Sequence, residues 1–338
     1  MNAHQLDATV VVPNYNGRRI LEACLRSLTE QSHQPAEIIL VDNGSHDDSV
    51  VFARTNFPDV RLIAYDRNAG FAAAVNAGIR ASHSPIIVTL NNDAIAEPGW
   101  LDWLLAPFAT DQRIGMVASK MLFVEPQGII NSAGICIDRL GIAWDRLGGE
   151  PDTNDERVVD VFGACAGAAA YRRTLLDDIG LFDEDFFAYL EDADLAWRAQ
   201  LAGWRAVYAP MARVTHWHSA TSVEGSPFKS HLLGRNKVWL IAKNYPQPQL
   251  WHYLPLIVAY DEAAVLYALL KYRDLHALRG RIEGLRNLRC ALAKRKRVQA
   301  TRCVPAESVV ARLEPVVSPR TVTRRYAHLK PGVNMHSP

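Results

Sequence analysis

Hydrophobic residues along 8–95 alternate between two spacings. ATVVVPNYN (8–16), AEIILVDNGS (36–45), VRLIAYD (60–66) and PIIVTLNND (85–93) are short apolar runs ending in polar residues, the pattern of buried strands. Between them, GRRILEACLRSLTEQ (17–31) places Ile20, Leu21, Cys24, Leu25 and Leu28 on one helical face. DDSVVFARTNF (47–57) reads as a helix with an acidic first turn, and NAGFAAAVNAGIRAS (68–82) as an alanine-rich helix. Strands and helices alternating through short loops predict a mostly parallel sheet covered by helices, an α/β fold. Such sheets hold ligands at the carboxyl ends of their strands. Three of those ends are polar here: Asn14-Tyr15-Asn16, Asp42-Asn43-Gly44-Ser45 and Asn91-Asn92-Asp93.

From about residue 96 to 225 the pattern is less regular. WLDWLLAPFA (100–109) is helical, IGMVASKMLFV (114–124) is a strand, and INSAGICIDRLGIAWD (130–145) is a hairpin. EPDTNDERV (150–158) is a polar loop, and VVDVFGACAGAAAYRR (158–173) is strand-like and rich in small residues. YLEDADLAWRAQLAGW (189–204) is a helix with an acidic start, stopped by Gly203, and RAVYAPMARVTHWHSA (205–220) continues as strands. Residues 226–300 read as helices, the last of them a basic amphipathic one, GLRNLRCALAKRKRV (284–298). Residues 301–338, with Pro305, Pro315, Pro319 and Pro331, read as a loose tail.

Composition narrows the class. At 49% hydrophobic and 22% charged, the 338 residues are those of a globular protein, which excludes an extended disordered chain. The net charge of +1 conceals an asymmetry: residues 271–302 hold eleven Lys/Arg against two Asp/Glu, so a mildly acidic body carries a basic region. Five cysteines without CxxC spacing imply reduced thiols of a cytoplasmic protein. The N-terminus shows no signal peptide, and no stretch of eighteen residues reads as charge-free and mainly apolar, so no membrane-spanning helix is expected.

Several polar clusters are candidates for chemistry, each with a plain structural alternative. Asp42 at a strand end suits a nucleotide contact or a helix N-cap. Gly70 opens a helix whose free N–H groups suit a diphosphate, or simply begins a packed alanine-rich helix. Asp93 suits a divalent cation, which takes one or two carboxylates beside phosphate oxygens, or is a turn residue. Glu191, Asp192 and Asp194 crowd one helix start, where carboxylates are stabilised whether or not they react. The flanking Phe182, Phe186, Phe187, Tyr189 and Leu190 argue that this turn packs into the body. Asp194 and Arg198, spaced i, i+4, can pair. His216 and His218 alternate with Trp217, so on a strand they face one way, as metal ligands or as ordinary packed residues. The run Lys294-Arg295-Lys296-Arg297 lacks the interleaved aromatics of a nucleic-acid site, so no nucleic-acid partner is expected. The basic helices suit a membrane surface, a lid or a dimerisation arm.

In order, VVVPNYNGRRILEACLRSL, IILVDNGSHDDS, RNAGFAAAVNAGI, TLNNDA, IGLFDEDFFAYLEDADLAWRAQLAGW and VTHWHSATS resemble the large inverting family of GT-A-fold glycosyltransferases, family 2, in its bacterial rhamnosyltransferase-like branch. The resemblance covers roughly residues 8–245. It implies a GT-A catalytic domain over 1–225, nucleotide-binding over about 8–95 and acceptor-binding and catalytic over about 96–225. A helical appendage (226–300) and the tail (301–338) follow. It implies an enzyme that moves a sugar, rhamnose favoured, from a dTDP- or UDP-sugar to a hydroxyl of a glycan or polyprenyl-linked acceptor. The setting would be cell-envelope polysaccharide synthesis at the cytoplasmic face of the inner membrane. Pro13, Tyr15, Asn16, Asp42, Asn68, Gly70 and Asn92 would border the donor. Asp93 and His216 would hold Mn or Mg, Asp192 would be the catalytic base and Glu191 its support. Asn91 stands where the family's fuller motif has an acid, which removes one charge from the donor side. The competing readings are a non-catalytic nucleotide-sugar-binding partner and a nucleotidyltransferase. The latter would be expected to carry a Gly- and Lys/Arg-rich phosphate loop, of which PNYNGRR is a weak version.

Overall fold

A computed structural model describes residues 6–153, 155–217 and 226–318. The first half follows the predicted alternation: β1 (Ala8–Asn14), α1 (Arg18–Thr29), β2 (Glu37–Asp42), α2 (Ser49–Asn56), β3 (Arg61–Ala64), α3 (Phe71–Ala81) and β4 (Ile86–Leu90). There follow β5 (Ala94–Ala96), α4 (Trp100–Leu105), β6 (Ile114–Phe123) and β7 (Ile130–Ser132). The hairpin β8 (Ile135–Ile137) and β9 (Ala143–Asp145) comes next, then β10 (Val159–Val161), β11 (Ala168–Arg172), α5 (Arg173–Ile179), α6 (Glu191–Leu201) and β12 (Arg205–His216). Five helices close the described chain: α7 (Pro227–Asn244), α8 (Gln249–Tyr272), α9 (His276–Arg286), α10 (Leu288–Ala300) and α11 (Ala306–Val310).

The main sheet has the order β10-β12-β6-β11-β4-β1-β2-β3, with β5 on β12 and β7 on β6. β1 through β4 run parallel, whereas β11 is antiparallel to both β4 and β6. Alternation along β1 feeds two helix layers. Val10 and Val12 join Leu21, Cys24, Leu25 and Leu28 of α1 in one core, and Val11 joins Ala72, Val75 and Ile79 of α3 in another. Each fully buried valine contributes roughly 1.5–3 kcal/mol. The small residues of α3 have a packing cause: a Cβ on Gly78 would lie 2.4 Å from Val11 Cγ1. Residues 205–216 form one strand, not several, with its register shifted between Ala209 and Arg213, where Pro210 interrupts the ladder.

The expected C-terminal helical region is present after residue 226 and packs on the body: Trp239, Leu240 and Ile241 of α7, with Tyr245 just after it, share a core with Trp197 and Leu201 of α6, so it is not set apart. Two expectations need correction. Residues 301–318 are not loose. Val309, Val310 and Leu313 are buried, the Glu314 amide donates to Ile137 O at 2.8 Å, and the Arg139 amide donates to Glu314 O at 3.1 Å. Prolines at 305 and 315 bound this docked segment; they do not dissolve it. Finally, one described helix, Gln249–Lys271, is long and apolar enough to cross a membrane by length and composition, with a mean hydropathy of 1.5. Asp261 and Glu262 break that stretch on paper. Asp261, however, is paired with Lys237 at 2.9 Å and with Arg281, which offsets its charge inside the fold.

Candidate active site

The carboxyl ends of β1, β2 and β4 meet in a network of asparagines. Asn92 Nδ2 donates to Asn14 Oδ1 at 2.7 Å, and Asn14 Nδ2 donates to Asp42 Oδ1 at 2.8 Å. Asp42, 1% exposed, also accepts from the Ser45 amide (2.9 Å) and hydroxyl (2.7 Å). It therefore caps its own turn; the N-cap position of α2 belongs to Asp48. Asn43 ties in the next loop: its Nδ2 donates to Asn68 Oδ1 and Gly70 O, and its Oδ1 accepts from the Ala69 amide. Gly70 has φ +94°, and a Cβ there would lie 2.6 Å from Phe187 O, so glycine is required. Tyr15 is half-buried, Asn16 is exposed at φ 51°, and Pro13 lies buried within β1 opposite Val41. Asn14 and Asn43, not singled out from the sequence, are thus the residues that join the predicted ones. Their signal was present, since both stand at polar strand ends.

Asp93 and His216 meet. The register of β5 on β12 brings His216 opposite Ala94, and His216 Nε2 lies 3.0 Å from Asp93 Oδ1. Both side chains are buried. Asn131 Oδ1 lies 2.9 Å from His216 Nδ1. With the Nδ1 proton given to Asn131, Nε2 turns a lone pair toward the carboxylate, and this pair suits a cation between the two donors. Among the described residues no group of three or more His, Cys, Asp or Glu forms a cage. Two protein ligands fit an ion that takes its remaining partners from phosphate oxygens and water. Asn131 had no signal in the sequence. His218 lies outside the described residues. Asn91 Oδ1 is buried without a hydrogen-bond partner, and the Asn91 amide donates to Gly167 O at 2.8 Å.

That last bond leads to the acidic helix. One residue before Gly167, the Ala166 amide donates to Asp192 Oδ2 at 3.2 Å, while the Ala193 amide donates to Oδ1 at 2.8 Å. The backbone bond from Asn91 to Gly167 therefore ties the strand end that carries Asp93 to the segment whose Ala166 amide holds Asp192. Glu191 is 6% exposed, and its Oε2 accepts no hydrogen bond. Burial, reinforced by the charge of Asp192, pushes the Glu191 carboxyl up to about 8. Asp192 keeps some exposed surface; burial and the charge of Asp145 push it up to about 6, opposed by the Ala166 amide. Both carboxyls are thus pushed above their ordinary range, Glu191 the further, so the pair holds on to a proton as pH approaches neutrality and titrates in two steps. Asp194, the third acid, is consumed by structure: it accepts from Arg198 Nε (2.9 Å), Lys243 Nζ (2.7 Å) and Asn244 Nδ2 (2.7 Å).

The family model for glycosyl transferase family 2 matches residues 9–180. An N-acetylglucosaminyl-diphospho-decaprenol L-rhamnosyltransferase of Mycobacterium tuberculosis is 30% identical over 255 residues, 68% of this chain and 81% of that protein. The fold is similar to GalNAc-T7 solved with UDP, GalNAc and Mn2+, with a TM-score of 0.61 at 17% identity over 90% of this chain and 59% of that one. It is also similar to the mannosyltransferase PcManGT of Pyrobaculum calidifontis, in complex with GDP-Man and Mn2+. There the TM-score is 0.51 at 20% identity, over 88% of this chain and 86% of that one. The architecture is the GT-A fold.

Proposed function

The chain belongs to glycosyl transferase family 2, and on that premise we propose that it transfers L-rhamnose from a nucleoside-diphosphate donor, a dTDP- or UDP-sugar, to a hydroxyl of a lipid-linked glycan. The named relative, a rhamnosyltransferase acting on a diphospho-decaprenol acceptor, supports the sugar and the acceptor class. The observation that carries the catalytic reading is geometric: Asp192 is held by the Ala166 and Ala193 amides, and the segment holding it is bonded at Gly167 to the strand end that bears Asp93 and its partner His216.

Asp42, Asn14 and Asn92 line the strand ends where the nucleotide binds, with Asn68 and Gly70 on the adjoining loop. Asp93 and His216 would hold a divalent cation, which when bound offsets the charge of the departing diphosphate. Asp192, ionised and fixed by two backbone amides, accepts the proton of the acceptor hydroxyl as that oxygen attacks the anomeric carbon. Attack from the face opposite the diphosphate inverts the anomeric centre. Burial favours the protonated form of Glu191, which keeps a second charge away from Asp192. A binding-only protein would derive no benefit from burying two adjacent acids here, so the enzyme reading is preferred.

We place this chemistry at the cytoplasmic membrane face. α8 exposes Trp251, Leu256, Val258, Leu266, Tyr267 and Leu270, and only 6% of its apolar window is buried. The basic residues of 271–302 adjoin it. This combination suits a helix lying on an anionic lipid surface. A thermal-shift screen of nucleotide sugars with Mn or Mg tests the function. One nucleotide sugar should raise Tm in a metal-dependent way. Stabilisation by none, or equal stabilisation in chelator, overturns the donor and metal assignments.

A further inference from the structure

The turn that presents the two acids is strained. Phe187, Tyr189 and Leu190, none of them glycine, have φ of 64°, 68° and 67°. Left-handed conformations at three such residues within four positions persist only where surrounding structure holds them. The holding groups come from α7. Asn236 is fully buried, and its Nδ2 donates to Phe186 O (3.0 Å), Ala188 O (2.9 Å) and Tyr189 O (2.8 Å). A side-chain amide has two N–H bonds for these three carbonyls, so one bond is shared.

The amide itself is oriented. Arg235 Nε donates to Asn236 Oδ1 at 3.0 Å, which turns the nitrogen toward the turn, and Arg235 Nη2 donates to Asp185 O and Phe186 O. Arg235 is held in turn by Glu283 of α9 at 3.3 Å. α7 and α9 pack at close range: a Cβ on Gly280 would lie 2.0 Å from His231 O, and one on Gly234 would lie 2.5 Å from Ala277 O. A second grip lies two turns along α7. Lys243 and Asn244 bind Asp194 in the first turn of α6, and the spacing of 236, 240, 243 and 244 puts all four on one helix face. One face of α7 therefore grasps the chain on both sides of Glu191 and Asp192.

We propose that α7 is part of the catalytic apparatus, with Asn236, oriented by Arg235, as the positioning residue for the Glu191–Asp192 pair. The inference rests on the transferase reading for its kinetic consequence, but its structural consequence stands alone. The same turn borders the donor loop, where the Ala72 amide donates to Phe187 O at 3.4 Å, so releasing it disturbs the base first and the donor side second.

The test compares wild type with Asn236→Asp, which turns an oxygen toward three carbonyls, and with the milder Arg235→Gln. Steady-state kinetics, the pH profile of kcat and amide hydrogen exchange over residues 188–194 are measured in each. Asn236→Asp should lower kcat about 100-fold, the cost of roughly 1 Å of misplacement, with the donor KM within about threefold of wild type. The acid limb of kcat should move from that of the wild type, down where water reaches Asp192 and up where the charge of the new carboxylate dominates. Exchange over 188–194 should rise while that of β1 to β4 stays at wild type. Arg235→Gln should show the same kinds of change with kcat lowered about 10-fold. Folded variants with wild-type kcat, acid limb and exchange overturn the proposal, as does lost stability with unchanged kcat per folded molecule. If Asn236→Asp does not fold, Arg235→Gln decides by the same criteria. A wild type inert toward every nucleotide sugar would sink the transferase reading instead, and exchange over 188–194 would still decide whether α7 holds the turn.

Discussion

Replacing Glu191 with glutamine should stabilise the protein in a pH-dependent way. The carboxyl is 6% exposed, Oε2 accepts no hydrogen bond, and burial raises it from an ordinary 4.5 to about 8. Between those values the folded protein keeps a proton that the unfolded chain has lost. The folded state binds more protons there, so stability falls as pH rises through the window and is fully retained below it. At about 1.4 kcal/mol per pH unit, the loss reaches about 3 kcal/mol at pH 7 and about 5 kcal/mol above pH 8. Glutamine has nearly the shape of the protonated acid and cannot ionise, so the variant lacks this slope. Urea unfolding at pH 5, 6, 7 and 8 measures it. The two proteins should be nearly equal at pH 5, and the variant should be more stable by about 3–5 kcal/mol at pH 8. Asp192, raised from 3.8 to about 6, loses stability with the same sign in both proteins as pH rises toward 6, so the divergence above pH 6 is the part that reports Glu191. Parallel stability curves from pH 5 to 8 would refute the claim that Glu191 is held protonated by burial.

Asp192→Asn should lower kcat by about 10³-fold, within the range for a lost general base, with nucleotide affinity by calorimetry within about threefold; wild-type turnover would remove Asp192 from the mechanism. In the wild type, kcat should rise as pH passes about 6, where Asp192 loses its proton, and a profile flat from pH 5 to 7 would contradict this. Asn131→Leu removes the acceptor at His216 Nδ1 and should weaken Mn binding by about 10- to 100-fold, read by titration calorimetry; unchanged affinity would mean that the Asp93–His216 pair is not the metal site. The double variant Leu266→Glu, Leu270→Glu places two acids on the exposed face of α8 and should abolish co-flotation with anionic vesicles; retained flotation would move the lipid contact elsewhere.

Much of this molecule is legible in one dimension. Side-chain period is local, so the apolar runs and the face of Leu21, Cys24, Leu25 and Leu28 declare strands and helices without reference to the rest of the chain. The polar strand ends follow from the same pattern, because a parallel sheet delivers the carboxyl ends of its strands to one edge. That is enough to mark Asp42 and Asp93 as candidates, whereas Asn92 enters only with the family resemblance. What the tertiary structure alone decided depends on contact across long sequence separation. Asn131 meets His216 across 85 positions and Asn236 meets Phe186 across 50, and neither asparagine carries a local mark. The C-terminal helices looked detachable because their cations dominate the sequence, yet the buried face of α7 is built from residues whose partners lie in α6 and the turn before it. The division of labour between Glu191 and Asp192 is decided in the same way. Adjacent acids at a helix start are alike as sequence; only the surroundings, which bury Glu191 Oε2 without a hydrogen bond and supply two backbone amides to Asp192, raise the first carboxyl further than the second.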